Sequence, residues 1–306
     1  MHKKKIKILD IYNHQGHQYE FSKICEEILL VGLDENSAKW NTNSRPILNN
    51  VRPIDLISAV MEEPDVLIWR RGANYKWYKR LVSQGAKCIG VAQTTYFDYM
   101  VPNFVKILVW NSKDAMEKLH SNYPWCEHVH IVHGFDPAEF NDLGLERQDG
   151  ILSVISKFSE RGKILGFDDF KYVSNYLNKS LLYGHGNHGV AESRGSLQTF
   201  YDLVKIYNSY KVYLNTTIES AMPRSRAEAM MCGSPLVTTS HYDIKNYINH
   251  GVNGYLADSP QDMVRYCKKI LNDKVLQSDL SAKSRETAIE HFHIKDYIKK
   301  WKQVIT

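Results

Sequence analysis

KVYLNTTIESAMPRSRAEAMMCGSPLVTTS (Lys211 to Ser240) is the stretch that decides the fold. It opens with an apolar run suited to a strand and passes through a polar loop. A short apolar helix follows around RAEAMMCG, and a second strand around PLVTTS. Strand, helix and strand in so short a span is the unit of a parallel sheet, whose strands are buried on both faces and read as continuous apolar runs. The same stretch holds a charge puzzle. Ser225 and Glu228 fit a capping box, the serine oxygen accepting the N3 amide and the glutamate reaching back to the cap. Arg224 and Arg226 are left over, because a cation at a helix N-terminus opposes the macrodipole by ~0.3 to 1 kcal/mol. An anion such as a phosphate, set between the cations and the free amides, would account for both.

Outward from there the alternation recurs. Strands are expected at GILSVIS (Gly150 to Ser156) and SLLYG (Ser180 to Gly184), with helices at DDFKYVSNYLN and SLQTFYDLVKIYNS; the tail from Ser259 is helical, through Trp301. The N-terminal half gives strands at KIKILDIY (Lys5 to Tyr12), DVLIWR (Asp65 to Arg70), AKCIGVA (Ala86 to Ala92), KILVWNS (Lys106 to Ser112) and VHIVHG (Val129 to Gly134). Helices are expected at SKICEEILLVGL (Ser22 to Leu33) and KDAMEKLH, and a linker at NDLGLERQDG (Asn141 to Gly150). Two successive α/β units imply two Rossmann-like domains with parallel sheets facing a cleft, over residues 1–145 and 150–285. A C-terminal helix over 286–306 would then be able to cross back to the first.

The chain's 306 residues, 43% hydrophobic and 24% charged, suffice for two cores. A net charge of +5 does not by itself indicate a nucleic-acid binder. No run approaches the ~18 apolar residues of a membrane span, and the start MHKKKIKILD does not suit a signal peptide, so a cytoplasmic protein is expected, in the host cytoplasm if viral. The five cysteines, Cys25, Cys88, Cys126, Cys232 and Cys267, are scattered without a C-x-x-C pair, which indicates neither a zinc site nor a disulfide framework. WRRGANYKWYKRL (Trp69 to Leu81) holds five basic residues and four aromatics with no acid. It reads either as an amphipathic helix with its aromatics inward or as a cationic, stacking-capable surface for an anionic partner.

The segment from Lys211 to Met263 resembles the C-terminal signature of group 1 (family 4-like) glycosyltransferases, which have the GT-B fold. Glu228-Ala229-Met230, Gly233, Pro235, His250-Gly251 and Asn253-Gly254 carry the likeness in order. The PRSR variant looks like a subgroup found in bacteria and their viruses. Weaker similarity extends upstream, through Gly134, Asp136 and Phe140, to the first-strand loop YNHQGHQYE. The resemblance implies that Glu228 binds the donor ribose and that Glu219 lies near the transferred sugar. Glu219 and Glu228 are separated by eight residues, one more than the pattern has, with Ser220 in the expected place. Either the loop is longer or Glu219 has another task.

The resemblance also places donor-diphosphate cations in ISKFSERGKILGF, among Lys157, Arg161 and Lys163. Such charge stabilises a leaving nucleotide diphosphate as the glycosidic bond breaks. The candidate catalytic set is Glu219, Lys163, Arg224 and His14. Donor binding is expected of Glu228, Arg226, Lys157, Arg161, Ser225 and the glycines Gly184 and Gly186 of GHGNHG, which admit close backbone approach or make a plain turn. Acceptor binding is expected of His17, Arg70, Arg71 and Lys76. No D-x-D or His/Cys/Asp ligand cluster stands out, so no metal and no cofactor beyond a UDP- or GDP-linked co-substrate is expected.

The implied activity is transfer of a sugar from a nucleotide-diphosphate donor to an acceptor hydroxyl, with retained configuration. The second domain would bind the donor and the first the acceptor, a glycan or lipid-linked saccharide or hydroxymethylated viral DNA. A non-catalytic nucleotide-sugar-binding protein and a sugar-nucleotide epimerase are the competing classes.

Overall fold

The computed structural model describes residues 5–24, 26–33, 40–95 and 100–306. Cys25 lies outside them. The chain forms two compact units, one running to Gly134 and rejoined by Lys295–Thr306, the other Phe135–Ile294.

In the first unit the order is β1 (Lys7–Ile11), α1 (Gln15–Ser22), β2 (Glu27–Val31), β3 (Val51–Ile54), α2 (Leu56–Met61), β4 (Val66–Trp69), α3 (Tyr75–Ser83), β5 (Lys87–Ala92), β6 (Ile107–Trp110), α4 (Lys113–Leu119) and β7 (Glu127–His130). The strands form one parallel sheet, ordered β3-β2-β1-β4-β5-β6-β7. The second unit runs β8 (Gln148–Val154), α5 (Phe158–Arg161), a 3-10 turn at Gly162–Leu165, α6 (Phe167–Leu177), β9 (Ser180–Tyr183), α7 (Phe200–Ser209), β10 (Tyr210–Asn215), α8 (Arg224–Met231), β11 (Leu236–Thr238), β12 (Tyr255–Leu256), α9 (Pro260–Asn272) and α10 (Lys274–His291). Its parallel sheet is ordered β12-β11-β10-β8-β9. The last helix, α11 (Ile294–Ile305), packs into the first unit's core, where Trp301 meets Phe21 edge-on at 4.8 Å.

The expected strands are present, except that the one read at Val129 to Gly134 is Glu127–His130, and the other differences have local causes. SKICEEILLVGL contributes a strand, not a helix: Ile28, Leu29 and Leu30 are all buried, and a doubly buried strand has the same continuous apolar run as a buried helix. The helix lies upstream, inside the expected first loop, with His14 as its N-cap. Strand β3 escaped notice because it carries Pro53 and exposed positions; at a sheet edge neither is a penalty. Asn141–Gly150 is not free linker, since the Leu143 amide donates to Asn208 Oδ1 at 2.9 Å and β8 begins at Gln148. Among the described residues no helix is long and apolar enough to cross a membrane.

Strand order reverses between β1 and β4 in the first unit and between β8 and β10 in the second. In open parallel sheets the carboxyl ends at such a reversal form the crevice that receives ligands. These two places position the candidate chemistry.

Candidate functional site

At the second unit's reversal, β8 leads into Ser156 and Lys157, and β10 leads into Thr216 and Thr217. Lys157 holds a left-handed backbone (φ 54°) and starts α5; the 3-10 turn then brings the chain beside the end of β10. Two amides of the facing loop, those of Ile218 and Glu219, donate to the single carbonyl of Ile164 at 3.0 and 2.9 Å. Thr216 Oγ1 donates to Leu165 O at 2.9 Å. Gly166 permits this closeness: it has φ 69°, and a Cβ there would overlap the Thr216 carbonyl.

Lys157, Arg161 and Lys163 are therefore exposed on a loop tied to the Glu219 loop. Lys157 pairs with Glu160 at 3.2 Å, whereas Arg161 and Lys163 make no ion pair among the described residues. Two uncommitted cations beside an exposed Glu219 are suited to a polyanionic ligand.

The two arginines of PRSR have different fates. Helix α8 starts at Arg224, two residues earlier than the capping-box reading requires, and Pro223 at the cap offers no side-chain bond. Ser225 lies inside the helix, where its Oγ accepts from Asn215 Nδ2 at 3.4 Å. Arg226 turns inward and is 1% exposed. Its Nε donates to Asn215 Oδ1 at 3.0 Å, and its Nη2 to Thr217 O and Thr239 Oγ1 at 2.8 and 3.0 Å. Burial pulls its guanidinium down to about 9. Arg226 is thus a tie between the ends of β10 and β11, its bonds to Asn215, Thr217 and Thr239 spent inside the protein.

Arg224 lies along the ring of Phe135 at 4.7 Å and faces Glu228 at 3.4 Å. Glu228, 7% exposed, also accepts from Tyr207 Oη at 3.1 Å. Burial, with Glu228 beside it, pushes the Tyr207 hydroxyl far above its ordinary range, so it remains a donor. Neither Tyr207 nor Asn215 stood out in sequence: each lies in an ordinary apolar helix or strand pattern.

Gly184 and Gly186 of GHGNHG serve close packing of one chain segment on another. A Cβ on Gly184 would overlap the Ile155 carbonyl, and one on Gly186 would lie 2.9 Å from Lys157 Cγ. Asn187 completes the junction, donating to Ile155 O at 2.7 Å and accepting from the Phe158 amide at 2.8 Å. The loop after β9 thereby braces the cation loop after β8.

In the first unit, His14 Nδ1 accepts from the His17 amide at 3.4 Å, and the His17 ring lies 4.7 Å from His14 and 4.5 Å from His133. Arg70 is buried and paired with Asp10 through Nε (2.7 Å) and Nη2 (3.1 Å). Arg71 and Lys76 are exposed. In Trp69 to Leu81 two of the four aromatics are buried, Trp69 and Tyr78, with Trp69 packed against Tyr78 and Phe104, each at 5.5 Å; Trp77 is half-buried and Tyr75 exposed. The cations Lys76, Lys79 and Arg80 remain on the outer face. His133 and Asp10 were missed; the signal was a polar residue interrupting or closing an apolar strand run.

Comparison with known proteins bears on the fold and on part of the second unit. Residues 174–273 match the family model described as glycosyl transferases group 1. A Staphylococcus aureus poly(ribitol-phosphate) alpha-N-acetylglucosaminyltransferase is 28% identical over 103 residues, 32% of this chain and 20% of that protein. The solved structure of Anabaena HepE with UDP superposes with a TM-score of 0.73 at 14% identity, covering 99% of both chains. A glycosyltransferase from Rickettsia africae superposes at 0.72 with 16% identity, over 99% of this chain and 98% of that one. S. aureus TarM superposes at 0.66 with 16% identity, over 79% of this chain and 54% of that one. The chain thus spans about a fifth of the curated relative and about half of TarM. The architecture is GT-B, and residues 174–273 carry the group 1 glycosyltransferase pattern.

Proposed function

We propose that this GT-B chain transfers a sugar from a nucleotide-diphosphate donor, bound by its second unit, to an acceptor hydroxyl bound by its first. The observation that carries the reading is the loop of Lys157, Arg161 and Lys163, held against the Glu219 loop at the sheet's reversal point by Ile164 and Gly166. Breaking the bond between the anomeric carbon and the diphosphate leaves the electron pair on a phosphate oxygen. Arg161 and Lys163 are placed to stabilise that charge, with Arg224 as a third cation at the start of α8. The acceptor oxygen bonds to the anomeric carbon, and its proton passes to the departing phosphate. No protein nucleophile is needed and configuration is retained.

Glu228, fixed by Tyr207 and Arg224, is assigned to the donor ribose. UDP is the first nucleotide to test, since HepE was solved with UDP; GDP is the second. We read the reaction as metal-independent because side-chain cations are at hand for the diphosphate, and as cytoplasmic. The acceptor is read as a glycan or lipid-linked saccharide.

A thermal-shift and turnover screen with UDP- and GDP-sugars tests the proposal, with and without EDTA. One nucleotide class should raise Tm and its sugar should be released or transferred in either buffer. Binding without hydrolysis or transfer to any acceptor would instead mark a non-catalytic nucleotide-sugar-binding protein.

A further inference from the structure

One face of the first unit's sheet ends in a row of polar side chains. Ile8, Ile68, Val91, Val109 and Ile131 form the core on the side of α1 and α11. Two residues further along each chain segment, on the same alternation, stand Asp10, Arg70, Gln93, Asn111 and His133. Contacts link four of these residues: Asp10 meets Arg70, and Asn111 Nδ2 lies 3.2 Å from His133 Nε2; Gln93 joins through its main-chain carbonyl, 3.5 Å from Asn111 Nδ2. Gln18 of α1 joins it to the first loop, donating to Asp10 and to Ile11 O and accepting from the amides of Asn13 and His14.

Two members of this row have buried polar atoms with no partner among the described residues. Arg70 Nη1 is a donor and Asn111 Oδ1 an acceptor; the residues are 4% and 6% exposed. A buried donor or acceptor left unmade forfeits its hydration without return, so such atoms mark a strained reservoir or a ligand position. Asp10 cancels the charge of Arg70. Asn111 Nδ2 lies 3.2 Å from His133 Nε2, and His14 Nδ1 accepts from the His17 amide at 3.4 Å. With the Arg70 charge balanced by Asp10, the row offers one open donor and one open acceptor. That is the complement of hydroxyl groups, each of which donates and accepts, and not of a phosphate.

We infer that this row is a subsite for a neutral, hydroxyl-rich sugar, with Arg70 Nη1 donating to one hydroxyl oxygen and Asn111 Oδ1 accepting from another hydroxyl. That the bound sugar is the acceptor rests on the proposed function; that a sugar binds there does not. Arg71, exposed next to Arg70, makes a phosphate-bearing acceptor the natural competitor.

Saturation-transfer NMR on the full chain separates the two, using methyl glycosides of glucose, galactose, mannose and N-acetylglucosamine beside glycerol 3-phosphate and inorganic phosphate. Asn111→Leu, nearly equal in volume, removes the acceptor, and Arg70→Lys removes the fork. At least one neutral glycoside should bind, and each variant should weaken it about ten-fold or more. UDP affinity and the folded spectrum should be unchanged in Asn111→Leu. Absence of glycoside binding, binding equal in wild type and both variants, or binding of the phosphate probes alone would overturn the inference. Failure of wild type to bind any nucleotide would count against the donor site, independently of the glycoside result.

Discussion

The amide of Glu219 donates to the carbonyl of Ile164 at 2.9 Å, and through that bond the loop after β10 is tied to the cation loop after β8. Gly166 makes the junction possible, because any side chain there would meet the Thr216 carbonyl from a left-handed backbone. Gly166→Ala should therefore cost at least about 1–2 kcal/mol from backbone strain alone. It should also weaken nucleotide binding without touching a cation. Chemical denaturation together with UDP titration checks both; a variant as stable and as tight-binding as wild type would show that the junction is not needed.

Adjacent arginines should separate stability from turnover. Arg226→Leu removes three buried bonds from a guanidinium, to Asn215 Oδ1, Thr217 O and Thr239 Oγ1, at a cost of about 3 kcal/mol or more, although Asn215 Oδ1 keeps the Thr217 amide and Thr217 O the Thr239 hydroxyl. Arg224→Ala removes the ion pair to Glu228 and the contact with the Phe135 ring; Glu228 keeps its bond from Tyr207, so the loss of stability should be smaller than for Arg226→Leu, but donor turnover should be abolished. Thermal melts and sugar-transfer rates on both variants make the comparison.

That division was only half legible in sequence. PRSR announced two cations at a helix start, but nothing in the letters says that the helix begins at Arg224, and this two-residue shift is what points Arg226 inward and takes Ser225 off the cap. The parallel sheets were legible because each doubly buried strand is a short apolar run. Strand β2 was misread for the same reason, as Ile28 to Leu30 lack the alternation that separates strand from helix. Asn111 could not be singled out, since its significance lies in the Oδ1 atom that remains unpaired after folding.

Glu192 gives the second unit a distinct acid sensitivity. Burial would raise its carboxyl, but the hydrogen bonds from Lys171 at 2.7 Å and from Ser174 outweigh that and hold it below its ordinary 4.5. A carboxylate depressed on folding stabilises fully above its unfolded value, and the contribution is lost as pH falls through the folded one. Glu192→Gln should melt below wild type at neutral pH by about 1–3 kcal/mol, and the gap should close as pH is lowered beneath 4.5. Melting curves across that range test it; a gap independent of pH would contradict it.

The buried thiols should be inert in the folded chain. Burial pushes Cys88, Cys232 and Cys267 well above the usual thiol range and Cys126 up to about 11. Iodoacetamide at neutral pH should leave these four unlabelled until denaturant is added, as read by peptide mass spectrometry.

The most direct test of the donor site is calorimetric titration of UDP, and then GDP, into wild type and the Arg161→Ala/Lys163→Ala double variant at two salt concentrations. One nucleotide should bind wild type at one site, more weakly at high salt, and the double variant should lose about 100-fold or more while keeping its melting temperature. Equal affinity for wild type and the double variant, or no binding of either nucleotide to wild type, would contradict the account.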